Sequence, residues 1–373
     1  MARNPVTNRH MPLGSGWLLQ GQAGGCEIGR RNADVTNYSS RCPRLGTQLD
    51  HIILKRGSAM PLLRVNATAS GIEVHHATHS PAGIGVTAAF GRMARTKGPA
   101  VIMVHGYRHT PLEPAHCPHG RIFRAAHWPA ELKLLGDAGL GVAFGWHARG
   151  PLRQVHTEAV ARGAEVASLV RLLRKQSPGR PVHIIAHSLG ATVALSALHH
   201  LKSSMLDRMV LLSGASHHCL AQAALATPAG RSCDVLNLTS RENDLFDFLF
   251  ERLIPGDRAI GQGIDAPRAL TVQIDCASTL AALVGLGFNL GPTSRLICHR
   301  SAYARPGVMD LNAAALGLTG ALSFGQLRAA LPKQSDRRWS RLIPNSPLPL
   351  AAALKTRIMR QHRSKGPDHE HAY

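Results

Sequence analysis

From Met60 onward, short apolar runs alternate with longer stretches whose apolar positions recur at helical spacing. Neither period is sustained before Met60 or after Pro332. The runs at 62–66, 72–76, 99–106, 140–146, 182–187, 208–213, 234–239 and 270–274 predict strands, several of them containing β-branched residues and some flanked by glycine. Between 156 and 175, Ala159, Val166, Leu169, Val170 and Leu173 share one helical face. Arg174 and Lys175 close that helix, and Ser177-Pro178-Gly179 stops it. Further helices are predicted from Ala191 to about His200, at 279–286 and at 324–331, with a short one over 348–359. Near-continuous apolar strands alternating with helices indicate an α/β fold, a mainly parallel central sheet with helices on both faces. In such a sheet reactive groups belong at the C-terminal ends of strands.

The same pattern divides the chain. Residues 1–59 are rich in Gly, Arg, Asn and Ser and read as a disordered extension ahead of a domain spanning 60–332. Residues 333–373 read as a basic, poorly ordered tail. The formal net charge is +21, but residues 1–59 hold eight Lys/Arg against three acids and residues 333–373 nine against three. About half the excess thus sits in the tails, and no nucleic-acid-binding motif accompanies it. Specific nucleic-acid binding is therefore not expected. Seven cysteines without C-x-x-C spacing argue against a disulfide scaffold and for a reducing, cytoplasmic setting. No apolar run reaches the roughly 18–20 residues of a membrane-spanning helix. Oligomeric state is not legible.

The sharpest junction lies at 182–195. A β-branched run ends in Ala186-His187-Ser188-Leu189-Gly190, and helix-forming residues follow with hardly any loop between. A turn this abrupt brings strand and helix backbones together, so it needs small residues two before and two after its apex. Ala186 and Gly190 supply them. Ser188 then projects at the strand's C-terminal edge, over the free amides of the next helix, where an oxyanion is favoured. The plainer alternative is a serine that only caps the helix.

A serine hydroxyl needs a base, and the base needs an orienting acid. The strand at 234–239 runs into Ser240-Arg-Glu-Asn-Asp-Leu-Phe-Asp247, and Asp244 is the expected acid, with Glu242 and Asp247 as fallbacks. Between Asp244 and the tail there is one histidine, His299, which makes it the expected base. The second oxyanion donor should come from the loop after an earlier strand. His105-Gly106-Tyr107 ends such a strand, so the amides of Tyr107 and Leu189 are the expected pair, with His105, Gly106 and Gly190 in support. His105, His109, His116, Cys117 and His119 crowd one loop, but their spacing matches no established zinc site, and neither metal nor cofactor is expected. His187 is read as a buried packing or hydrogen-bonding residue.

With these motifs the stretch from about Met60 to Leu331 resembles the α/β-hydrolase superfamily, in particular its bacterial esterase- and lipase-like members. The matching features are His105-Gly106-Tyr107, the elbow Ala186–Gly190, an acid after the next-but-one strand and a late histidine. One departure is Ala186, where the superfamily pattern has glycine. The resemblance implies cofactor-free hydrolysis of a small-molecule acyl substrate, a carboxylic ester or related bond, through a Ser188–His299–Asp244 triad and an acyl-enzyme. Residues 214–232 and 245–268 are placed to supply cap or lid elements. A binding or scaffold protein with a degenerate site is the alternative.

Overall fold

The computed structural model describes residues 62–333, apart from 77–79, 94–95, 135–137, 294 and 321. The extension at 1–59, the domain start at Met60 and the helix expected at 348–359 lie outside the described residues. Eight strands form one sheet in the order β2-β1-β4-β3-β5-β6-β7-β8. They are β1 (Leu62–Thr68), β2 (Gly71–His75), β3 (Ala100–Val104), β4 (Leu140–Gly145), β5 (Val182–His187), β6 (Arg208–Leu212), β7 (Asp234–Thr239) and β8 (Ala269–Gln273). Only the β1–β2 pair is antiparallel; every other pairing is parallel. All eight correspond to predicted strands, with ends shifted by a residue or two.

The apolar runs read as continuous because the central strands are covered on both faces. In β3, Ala100, Ile102 and Val104 enter one core cluster, while Val101 and Met103 enter the other. In β5, Val182, Ile184 and Ala186 face the first cluster and Ile185 the second. Each buried aliphatic side chain contributes about 1.5–3 kcal/mol relative to exposure, so neither face of β3 or β5 tolerates a polar residue cheaply.

The helix predicted across 156–175 is two helices, Leu152–Ala161 and Gly163–Gln176, meeting at Arg162. Both bury apolar residues on the same core, so the periodicity runs through the break. Gly163 lies against the helix that follows the elbow, where a Cβ would stand 2.6 Å from Ser196 Cβ. Helices Val86–Met93 and Val308–Ala315 were not apparent from the pattern. The two stretches placed to form caps contain helices His218–Leu225, Pro228–Ser232 and Asp244–Leu253. Among the described residues no helix is long and apolar enough to cross a membrane.

Candidate active site

Ser188 sits at the apex between β5 and the helix Gly190–Ala197, with φ at +55° and 5% of its surface exposed. Left-handed backbone at a non-glycine residue costs on the order of 1–3 kcal/mol and persists only where its surroundings enforce it. Here the Ser188 N–H donates to the Leu212 carbonyl (3.1 Å), and its own carbonyl accepts from Ala191 and Ala215 (both 2.9 Å). The elbow is thus pinned to the end of β6 as well as to its own helix.

Two glycines let the loop after β3 press against this turn. A Cβ at Gly106 would lie 2.5 Å from Ser188 Cβ, and one at Gly190 would lie 2.8 Å from the carbonyl oxygens of Val104 and His105. His105 locks that loop. Its Nε2 accepts from the Trp146 backbone N–H (3.0 Å), so Nδ1 carries the proton and donates to the Gly106 carbonyl (2.9 Å). Its own carbonyl accepts from the Trp146 indole (3.0 Å), and the two rings stack. Burial holds the His105 pKa well below the usual range, so the ring is neutral. Among the described residues neither the Tyr107 nor the Leu189 amide donates a backbone hydrogen bond. The Tyr107 hydroxyl donates to the Gly150 carbonyl (2.6 Å).

His299 lies beyond β8, after a helix (Ala277–Gly285) and a long irregular stretch. That excursion is tied back at several points. Arg305 donates to the carbonyls of Ile274 (2.7 Å) and Gly291, and the Cys298 N–H donates to the Glu242 carbonyl (2.8 Å). His187, the residue before the serine, donates from Nε2 to the carbonyl of His299 (3.0 Å). Its ring centroid is 4.6 Å from that of His299, which packs on its other side against Phe246, also at 4.6 Å. His187 therefore carries the His299 backbone on the elbow strand itself. Among the described residues no hydrogen bond joins Ser188 Oγ to the His299 ring.

The side chain that meets His299 is not the one expected. His299 Nδ1–H donates to Asn243 Oδ1 at 2.6 Å, and Asn243 Nδ2 donates in turn to Asp247 Oδ1 at 3.0 Å. Asn243 and Asp247 are 1% and 2% exposed. Asp244 opens the helix Asp244–Leu253 and is fully buried. The fallback Glu242 bonds locally with Ser240. The fallback Asp247 accepts from Asn243, which in turn meets the histidine. The sequence signal for this relay was the i, i+4 spacing of Asn243 and Asp247 on one helical face.

Burial pushes the His299 pKa down to about 4. His187 is lowered well below the usual range by burial and by His299 beside it. The site therefore holds three neutral imidazoles at neutral pH. Among the loop histidines, His119 is bonded to Asn66 (2.7 Å) and His109 packs edge-on against His105. No group of three or more His, Cys, Asp or Glu among the described residues is arranged to hold a metal ion.

A family model described as an α/β hydrolase of unknown function (DUF900) matches residues 88–230, from before β3 to past the elbow. Over that segment the chain is similar to α/β hydrolases, and its fold is of that class. Solved α/β-hydrolase-like structures match it in part. The mature lipase BlEst2 of Bacillus licheniformis is 16% identical, with a TM-score of 0.32 over 48% of this chain and 83% of that one. A Trichoderma reesei cutinase in complex with a C11Y4 phosphonate inhibitor is 12% identical, with a TM-score of 0.26 over 63% and 76%. RedJ with a PEG molecule bound in the active site is 11% identical, with a TM-score of 0.29 over 64% and 93%. Comparison with curated proteins gives no match.

Proposed function

We propose that this α/β hydrolase is a serine hydrolase that cleaves a carboxylic ester or related acyl bond of a small molecule. Ser188 attacks the acyl carbonyl, and His299 Nε2 takes the hydroxyl proton and passes it to the leaving alcohol. The amides of Leu189 and Tyr107 receive the oxyanion, each contributing about 2.7–4 kcal/mol of transition-state stabilisation. Water, activated by the same imidazole, then releases the acid and restores Ser188. Asn243 fills the third position in place of the expected Asp244. Asp247 holds the amide so that its oxygen faces His299, which fixes the proton on Nδ1 and leaves the Nε2 lone pair for the serine.

The observation that carries this reading is the strained Ser188, held at φ +55° between two glycines whose side chains would collide with the site. Phe246 packs against His299 and begins an exposed apolar helix face that continues through Leu249 and Leu253, which suits a hydrocarbon portion of the substrate. A second reading, a binding protein on a degenerate hydrolase site, is favoured by the amide standing where a carboxylate was expected. A fluorophosphonate probe separates them. The enzyme labels at Ser188 and S188A does not; an unlabelled, folded wild-type chain would leave the binding protein.

A further inference from the structure

Beside the candidate active site, a pocket of about 660 Å³ opens between the segment after β3 and the turn after His299. Its wall includes His109, Arg121, Arg124, Trp128, Arg300 and Tyr303. Two of these also border the active site. His109 packs on His105 at 5.4 Å, and Tyr303 stands edge-on to His187 at 4.9 Å. The pocket is thus one ring away from His299, and Arg300 is its immediate neighbour in sequence.

The charge in this pocket is unbalanced. Some arginines elsewhere in the fold are matched to acids, Arg162 to Glu158 and Glu165, Arg174 to Asp207, Arg241 to Asp275 and Arg268 to Asp234, and others, such as Arg153, Arg171 and Arg305, are held by backbone carbonyls. Among the described residues Arg121, Arg124 and Arg300 make no ion pair and no side-chain hydrogen bond. One acid, Glu131, lies on the wall, and its burial raises its pKa, which disfavours the charge that would offset them. Three unmatched guanidiniums around one cavity repel each other, and each offers the planar fork that grips a carboxylate or a phosphate through two bonds. Behind them Trp128 and Tyr303 pack edge to face at 5.4 Å and give the pocket an apolar floor.

We infer that this pocket binds an anionic group, carboxylate or phosphate, carried by the substrate, so that the hydrolase acts on acyl esters with a negatively charged arm. The inference rests on the serine-hydrolase reading for its place in catalysis, but anion binding is tested apart from turnover. A short carbon chain crosses the Trp128–Tyr303 floor while its charged end meets the arginines. Because those arginines are exposed, the attraction weakens as salt rises.

The test uses the full chain and R121Q/R124Q/R300Q. Isothermal titration of S188A with glutarate and with inorganic phosphate should show binding that weakens in 0.5 M salt and is lost when the three substitutions are added. Preference for glutarate over phosphate assigns a carboxylate arm, and the reverse assigns a phosphate. In the Ser188 enzyme, kcat/KM for p-nitrophenyl hemisuccinate relative to p-nitrophenyl butyrate should fall about tenfold in the triple variant, as expected for the loss of a few exposed charge contacts. Failure of either anion to bind folded S188A, or an unchanged titration in the triple variant, overturns the inference. Binding without ester turnover or fluorophosphonate labelling upholds the pocket and sinks the hydrolase reading instead.

Discussion

The Asn243–Asp247 pair allows a charge to be moved next to His299 with almost no change of shape. In N243D/D247N the carboxylate and the amide trade places, and the bond between positions 243 and 247 survives with its donor reversed. Two unit charges about 4 Å apart at an effective dielectric near 20 attract by about 4 kcal/mol, which corresponds to about 3 pKa units. Burying the relocated carboxylate takes back part of that, leaving about 2–3 units. His299 should therefore rise from about 4 to about 6–7. The assay is kcat/KM for p-nitrophenyl butyrate across pH 4–8. The wild-type acid limb should lie well below the 6.5 of an unperturbed histidine and move upward in the exchanged pair, with a higher plateau from the stronger base. N243D alone should behave differently: two carboxylates about 3 Å apart cannot both ionise, so one keeps a proton and the protein loses stability. A wild-type limb at 6.5 or above, or a folded N243D/D247N enzyme with an unmoved limb, would refute the assignment of His299 as a base oriented by Asn243.

Three further outcomes follow from the elbow and the core. G106A drives a methyl to within 2.5 Å of Ser188 Cβ, so esterase activity should fall at least about a hundredfold while circular dichroism stays native; near-normal kcat would mean the oxyanion loop lies elsewhere. S188G removes the penalty for φ +55°, so it should abolish fluorophosphonate labelling yet raise stability by about 1 kcal/mol in urea titration; a loss of stability would mean that the turn is not strained. Buried His183 is 5% exposed and lowered to about 4, chiefly by burial, so the unfolded chain binds its proton first as pH falls. Its contribution is complete above about pH 6.5 and declines by about 3 kcal/mol as pH falls to 4. H183Q should flatten that slope in pH-dependent urea melts, and an unchanged slope would place the proton uptake elsewhere.

The centre of the sheet was legible because strands such as β3, β4 and β5 are short and mostly apolar, and burial on both faces removes the alternation that would blur a parallel strand into an amphipathic helix. Helix interruptions were less legible. The break at Arg162–Gly163 leaves the apolar spacing intact because both helices cover the same core, and its cause is a contact with Ser196, 33 residues away in the chain. Periodicity reports which face is buried and is silent on where the axis bends.

The site divides in the same way. Ser188 was read from local chemistry, since small residues on both sides of a strand–helix junction constrain the backbone wherever they occur. The place of His299 beside the elbow strand agrees with the expectation from elimination. The acid position did not follow from elimination, because three polar residues in a row at the start of a helix differ by about 100° each in direction, and sequence alone does not say where the first turn begins. That phase is set by the 3₁₀ turn Arg241–Asn243, which is capped by Ser240 and precedes the helix. It turns Asn243 toward the histidine and leaves Asp247, one helical turn on, behind it. A carboxylate held one amide away can orient the imidazole, but it cannot neutralise an imidazolium by direct contact. The proposed relay orients the ring through an amide, while burial keeps its pKa low. It also requires that the base stay unprotonated far into acid, a property that a directly paired aspartate would not confer.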